Sequence, residues 1–312
     1  MRIVFMGTPV FSLACLEALI ESGHEVCAVF TQPDKPRNRG KQLMMTPVKQ
    51  CALSHNIAVY QPHSLRSGED AERSVSVLRE INPNCIVVVA YGQILPTAIL
   101  ELPRYGCINV HASLLPMYRG AAPIQRCIQC GETVTGVTTM YMAQGLDTGD
   151  MIMKQELEIT PEMTGSVLHD RLSEIGAGLI VKTLAALESG TAERTPQTGD
   201  TCYAGMITKE ELRIDFTKPA AEVHNFIRAM ADTPCAYTSL DGKRLKVFGS
   251  AVTGMTSAAP VGSIADAESF AVVCGDGMCV ELTEVQIEGG RRMDISAFLR
   301  GRRLEAGTVL GQ

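Results

Sequence analysis

Residues 2–31, RIVFMGTPVFSLACLEALIESGHEVCAVFT, hold the pattern that decides the fold. Residues 2–6 form a short apolar run, too brief for a helix, and Gly7-Thr8-Pro9 ends it as a turn. Phe11, Cys15, Leu16, Leu19 and Ile20 then recur three and four apart, along one face of a helix, until Gly23 supplies a stop. Residues 25–31 start a second strand. The unit repeats: a helix at 47–55 leads into a strand at 57–61, and one at 70–81 into the β-branched run 85–90. Strands alternating with helices of this length predict an α/β fold, a doubly wound and mostly parallel sheet. In such sheets ligands bind outside the carboxyl ends of the strands.

Further along, a strand at 106–110 runs straight into His111. Two extended segments, 134–143 and 151–159, flank the loop Gln144-Gly145-Leu146-Asp147-Thr148-Gly149-Asp150. A helix at 164–188, with Val167, Leu168, Leu172, Ile175, Leu179 and Ile180 on one stripe, closes a first domain expected at 1–188. The stretch 189–205, rich in Thr, Gly, Pro and Gln, reads as a linker. A second domain follows at 206–312. There a helix at 220–231 precedes short alternating strands at 244–248, 270–274 and 280–286, with turns at Asp241-Gly242 and Asp276-Gly277. That pattern predicts a small β-barrel.

Composition narrows the function. The 312 residues carry 28 basic and 34 acidic side chains, a net charge of −6, which excludes nucleic-acid binding by bulk positive charge but not by a local patch. No apolar run approaches the roughly 18 residues of a membrane helix, and MRIVFMGTPVF lacks the features of a signal peptide. A cytoplasmic protein is expected. The eleven cysteines are odd in number and mostly sit in apolar runs such as Cys85-Ile86-Val87-Val88-Val89, so they are expected as small core hydrophobes in a reducing compartment. Cys127 and Cys130 form a CxxC with no second pair at matching spacing, so no metal is expected.

The opening turn has only Gly7 of a G-x-G-x-x-G pattern, and Pro9 lacks the N–H a phosphate would want. A nicotinamide cofactor is therefore not expected. Asn109-Val110-His111 is sharper. Residues two apart on a strand project to the same side, so Asn109 and His111 emerge together at a strand end, and an amide donor beside an imidazole suits an oxyanion on a carbonyl carbon. The loop acids Asp147 and Asp150 could turn the chain, bind a metal, or approach His111. Spacing leaves open which.

Together these segments resemble the family of 10-formyltetrahydrofolate-dependent formyltransferases. The resemblance is carried by Asn109-x-His111, Ser113-Leu114-Leu115-Pro116-x-Tyr118-Arg119-Gly120 and Leu146-Asp147-Thr148-Gly149-Asp150. It extends to Thr31-Gln32-Pro33-Asp34, Arg39-Gly40-Lys41, Ala90-Tyr91-Gly92-Gln93-Ile94-Leu95-Pro96 and the ending at 301–311. It implies a Rossmann-like formyltransferase domain followed by an OB-like barrel, and a catalytic trio of Asn109, His111 and Asp147. In that trio Asn109 and a protonated His111 donate to the formyl oxygen, while Asp147 supports the imidazole and helps move a proton. Ser113, Leu114, Leu115 and Pro116 match the segment that contacts the formyl donor, 10-formyltetrahydrofolate, and no metal is required.

The match is closest to members whose acceptor is initiator methionyl-tRNA. Relatives that use glycinamide ribonucleotide or an amino sugar nucleotide are the alternative. For a tRNA acceptor the resemblance implies contact through Lys35, Arg37, Arg39 and Lys41, part of a stretch, 35–49, with five basic residues and no acid. It also implies a monomer. The second domain would add backbone contacts. Its 12 basic and 14 acidic residues between 206 and 312 net −2, so any phosphate-binding face must be local, at Lys243-Arg244-x-Lys246, Arg291-Arg292 or Arg300-x-Arg302-Arg303.

Overall fold

A computed structural model describes residues 1–37 and 42–311, so Arg39 and Lys41 lie outside the described residues. The chain divides into two compact units. Met1–Gly120, Thr135–Leu157 and His169–Tyr203 make the first; Ala121–Val134, Glu158–Leu168 and Ala204–Gln312 make the second.

Seven strands form the sheet of the first unit: β1 (Arg2–Gly7), β2 (Glu25–Phe30), β3 (Ala58–Tyr60), β4 (Cys85–Val89), β5 (Cys107–His111), β6 (Val134–Tyr141) and β7 (Met151–Glu158). Their order is β7-β6-β5-β4-β1-β2-β3. β1 pairs parallel with both β2 and β4, β2 with β3, and β4 with β5, while β6 runs antiparallel to β5. The chain winds outward from β1 to β3, then returns to β4 on the other flank. This is the doubly wound sheet that the alternating pattern predicts, and its switch point lies between β1 and β4. Every residue of β4 is buried, as a central strand covered on both faces requires.

The helices α1 (Leu13–Glu21), α2 (Pro47–Ser54) and α3 (Glu69–Ile81) follow the apolar spacing. On one face of the sheet Leu78 of α3 joins Val4, Met6, Phe30, Ile86 and Val88 in a single buried cluster. α3 opens on Glu69, Asp70 and Glu72 and ends at Asn82 with φ 49°, so charge suits its first turn and a left-handed residue stops it. α2 is capped by Thr46, whose hydroxyl accepts from Lys49 N at 3.1 Å and shares a hydrogen bond of 2.8 Å with Thr31. Thr46→Ala is expected to lower stability by about 1 kcal/mol, and Thr46→Ser to keep most of it. Urea midpoints check this; equal midpoints for both variants would deny the cap its role.

The long helix α4 (Gly165–Ser189) buries Leu168, Leu172, Leu179 and Ile180 as expected, but Val167 is 49% exposed. At about 100° per residue Val167 falls with Arg171, Glu174 and Gly178, all exposed, so it lies off the buried stripe.

The second unit has a six-stranded antiparallel sheet. Strands β8 (Ala236–Leu240), β9 (Lys243–Thr256), β10 (Ile264–Asp266), β11 (Ala271–Val273) and β12 (Met278–Ile287) run in the order β8-β9-β12-β11-β10, and β13 (Met293–Asp294) pairs with β12. Asp241 (φ 51°) and Gly242 (φ 72°) make the two-residue turn between β8 and β9, whose left-handed pair matches strand twist. Register shifts near Gly249 and after Val252 bend β9, and the sheet curls into a half-barrel. β9 extends well past the predicted 244–248, because its outer half (Ser250, Thr253, Gly254) lacks the apolar alternation that marks a half-buried strand. α5 (Ala220–Met230) packs on β9. No helix among the described residues is long and apolar enough to cross a membrane.

Candidate active site

β5 presents Asn109 and His111 on one side of the sheet, two residues apart. The loop after β6 brings Asp147 to both. Asp147 Oδ1 accepts a hydrogen bond from Asn109 Nδ2 at 3.3 Å, and Oδ2 lies 3.7 Å from His111 Nδ1. Oδ2 also accepts from the backbone N–H of Gly120 at 2.9 Å. The site is shielded, with side-chain exposures of 7% for His111 and 14% for Asp147. Coulomb interactions are stronger there than in bulk water.

The other ring nitrogen decides the chemistry available. His111 Nε2 is 2.9 Å from the carbonyl oxygen of Tyr118. A carbonyl can only accept, so Nε2 carries a proton. Nδ1 is the ring nitrogen that faces Asp147. Their 3.7 Å separation is an ion-pair distance rather than a hydrogen bond. Asn109 keeps a second N–H beyond the one aimed at Asp147. The donor set of an amide N–H beside an imidazole suits a carbonyl oxygen on which charge develops.

The two loop acids, equivalent by spacing, separate in space. Asp150 accepts from Arg194 Nε at 3.2 Å, and that guanidinium sits 4.0 Å over the Tyr141 ring. Asp147 alone of the two meets Asn109 and His111. It does so from a left-handed backbone, φ 51°, and Tyr118 (φ 60°) and Ala90 (φ 46°) are strained likewise at the ends of neighbouring loops. Such conformations cost energy and persist where the surroundings over-determine them, commonly at functional sites. The Tyr118 carbonyl and the Gly120 N–H are contributors that residue types could not announce, being backbone groups. The signal was the Pro/Gly-rich loop that carries them.

Of the segment singled out for the formyl donor, Ser113 is 1% exposed and gives its hydroxyl hydrogen to Met117 O at 2.6 Å. Leu115 is fully buried against Met140 and Met151. Leu114 and Pro116 are half-buried. The opening turn knits strand ends together: Thr8 Oγ1 donates to Tyr91 O at 3.0 Å, and Ser12 Oγ to Val89 O at 2.7 Å.

Lys35–Arg37 pairs antiparallel with Gln42–Met44, a hairpin that the basic composition did not foretell, and Lys35 is exposed. Lys49, counted among the five basic residues, is instead spent at the hairpin's root, where Nζ donates to Asp34 at 2.6 Å and to Gln61 at 2.7 Å. In the second unit several expected phosphate ligands are already engaged. Arg292 pairs with Glu284 at 2.7 Å and with Asp232, Arg302 with Asp241 at 2.6 Å, and Arg244 stacks 4.3 Å over the Tyr237 ring.

Burial pushes the Cys15, Cys107 and Cys274 thiols up to about 12, the behaviour of core residues rather than reactive ones. Cys127 is buried and Cys130 exposed. No group of three or more metal-ligating side chains occurs among the described residues.

Two family models match the chain: "Formyl transferase" over residues 1–184 and "Formyl transferase, C-terminal domain" over residues 206–303. The chain belongs to the formyl transferase family. Among formyl transferase relatives, it is 50% identical to the methionyl-tRNA formyltransferase of Agathobacter rectalis over 311 residues, 99% of each chain. It is 47% identical to that of Lachnospira eligens over 320 residues, covering all of both. The N-formyltransferase of Helicobacter canadensis, solved with folinic acid and dTDP-3-aminofucose, shares the fold at a TM-score of 0.66 and 19% identity, over 90% of this chain and 98% of its own.

Proposed function

We propose that this formyl transferase moves the formyl group of 10-formyltetrahydrofolate onto the α-amino group of initiator methionyl-tRNA, as a cytoplasmic monomer. The observation that carries the proposal is that Asn109, His111 and Asp147 meet in a chain 50% identical over its full length to a relative bearing that name.

The amine lone pair attacks the formyl carbon. A carbon–nitrogen bond to the amine forms, the bond to N10 of the folate breaks, and the amine's surplus proton ends on N10. As charge grows on the formyl oxygen, the free N–H of Asn109 and a protonated His111 Nδ1 donate to it. Asp147, 3.7 Å from Nδ1, stabilises the imidazolium and helps pass the proton towards N10. The Tyr118 carbonyl keeps the ring turned so that Nδ1 faces the reaction. With Ser113 and Leu115 turned inward, contact with the folate falls to Leu114, Pro116 and the backbone of 113–116. Residues 1–188 do the chemistry; Lys35, Arg37, Arg39 and Lys41 meet the acceptor end of the tRNA, where unpaired bases can be reached, and 206–312 adds backbone contacts across the 189–205 connection.

The test is formyl transfer to methionyl-initiator tRNA, methionyl-elongator tRNA and glycinamide ribonucleotide. Transfer to the initiator alone supports the proposal; transfer only to the small acceptor refutes the partner. Arg39→Ala is expected to lower kcat/KM for the tRNA by about tenfold or more while sparing slow turnover on a minimal amine. Equal losses on both acceptors would end that division of labour.

A further inference from the structure

Asp147 sits on a loop with no regular structure of its own, in a conformation that costs an L-residue about 1–2 kcal/mol. Its carboxylate is gripped by Gly120 and Asn109. Its backbone is gripped by one side chain from the stretch expected to be a linker. Gln197 Nε2 donates to Asp147 O and to Gly149 O, both at 2.8 Å. Gln197 Oε1 accepts from Arg119 Nε at 2.9 Å and Nη2 at 2.7 Å. A carboxamide has two N–H donors and two acceptor lone pairs, and here all four are used. Arg119 in turn adjoins Gly120, whose N–H holds the carboxylate. The neighbours of Gln197 bind the end of the loop and the start of β7: Arg194 reaches Asp150, and Thr195 exchanges backbone hydrogen bonds with Met151 at 2.8 and 2.9 Å.

We propose that Gln197 is a positioning residue for formyl transfer: clamped by Arg119, it fixes the backbone of 147–149 so that the Asp147 carboxylate meets His111 and Asn109. This rests on the proposed roles of those three residues. Gln197 touches no reacting atom. Its two donated hydrogen bonds straddle Thr148 and so set the direction in which the Asp147 side chain leaves the loop. A misplacement of about 1 Å at a reacting group can cost on the order of a hundredfold in rate.

The experiment compares Gln197→Met, which keeps length and loses all four hydrogen bonds, with Gln197→Glu, which keeps the acceptors for Arg119 but sets an anion against two carbonyls. Both are expected to lower kcat with methionyl-initiator tRNA by about ten- to a hundredfold, with KM for the formyl donor within about threefold of the parent. Arg119→Leu, which frees Gln197 to turn, shifts kcat in the same direction. The deciding measurement repeats Gln197→Met in an Asp147→Asn background by single-turnover kinetics. There it is expected to change the rate by less than about twofold, because a residue acting through Asp147 has nothing left to position. The same fractional loss in both backgrounds would make Gln197 merely structural and overturn the proposal, as would a Gln197→Met enzyme as fast as the parent beside an impaired Asp147→Asn. An unimpaired Asp147→Asn would instead bring down the roles assigned to the trio.

Discussion

Replacing His111 by glutamine is expected to lower the rate of formyl transfer by about three orders of magnitude without unfolding the protein, the sum of a lost donor and a lost proton carrier. The choice of glutamine follows from the two ring nitrogens. Nε2 donates to Tyr118 O at 2.9 Å inside a side chain 7% exposed, so alanine would leave that carbonyl without its partner and cost about 1–3 kcal/mol of stability besides. The amide of glutamine can reproduce the Nε2 donor and has nothing in the place of Nδ1. A His111→Gln protein with native thermal unfolding and a rate within tenfold of the parent would show that Nδ1 does not carry the proton. His111→Ala, slower and also less stable, is the expected companion result.

Gly149→Ala is expected to cost about a hundredfold in rate and about 1–3 kcal/mol in stability. A Cβ at that position would lie 1.8 Å from the carbonyl oxygen of Tyr141, and no flexible side chain can yield, because the obstacle is backbone. The loop must move off the end of β6, carrying away Asp147 two residues earlier and the carbonyl that Gln197 holds. Gly178→Ala is the control. It lies in the interior of α4 with nothing within 4 Å of its added methyl, and is expected to raise stability by up to about 1 kcal/mol at unchanged rate. Denaturant unfolding together with kcat separates the two sites; a Gly149→Ala enzyme at full rate would mean that the loop tolerates the shift and that its placement does not limit the chemistry.

The doubly wound sheet was readable in residues 2–31 and the like units at 47–61 and 70–90 because its signal is local. A buried parallel strand is a short apolar run, a covering helix has a 3.6-residue stripe, and Gly or Asn marks the stops. Asn109 and His111 were readable as a pair for the same reason, since strand alternation sends both to one side. The half-barrel of the second unit was legible in outline from its Asp-Gly turns, while the length of β9 was hidden where its outer half faces solvent and leaves no apolar pattern.

Long-range hydrogen bonds leave no such trace. Asp147 and Asp150 have identical side chains in one loop, and only the fold of that loop back over β5 gives the first to Asn109 and His111 and the second to Arg194. In composition Lys49 is one more basic residue; in the fold Asp34 and Gln61 surround its ammonium group. Gln197 was one polar residue in a Thr- and Pro-rich stretch, and its hydrogen bonds reach carbonyls about fifty residues away in sequence. The residue types and periodicities of the sequence thus determined the sheet, the family resemblance and the chemical identities at the site. The tertiary structure decided which acid lies beside the histidine, which ring nitrogen faces it, and what holds them, because a backbone carbonyl or amide has the same chemistry at every position until folding gives it a neighbour.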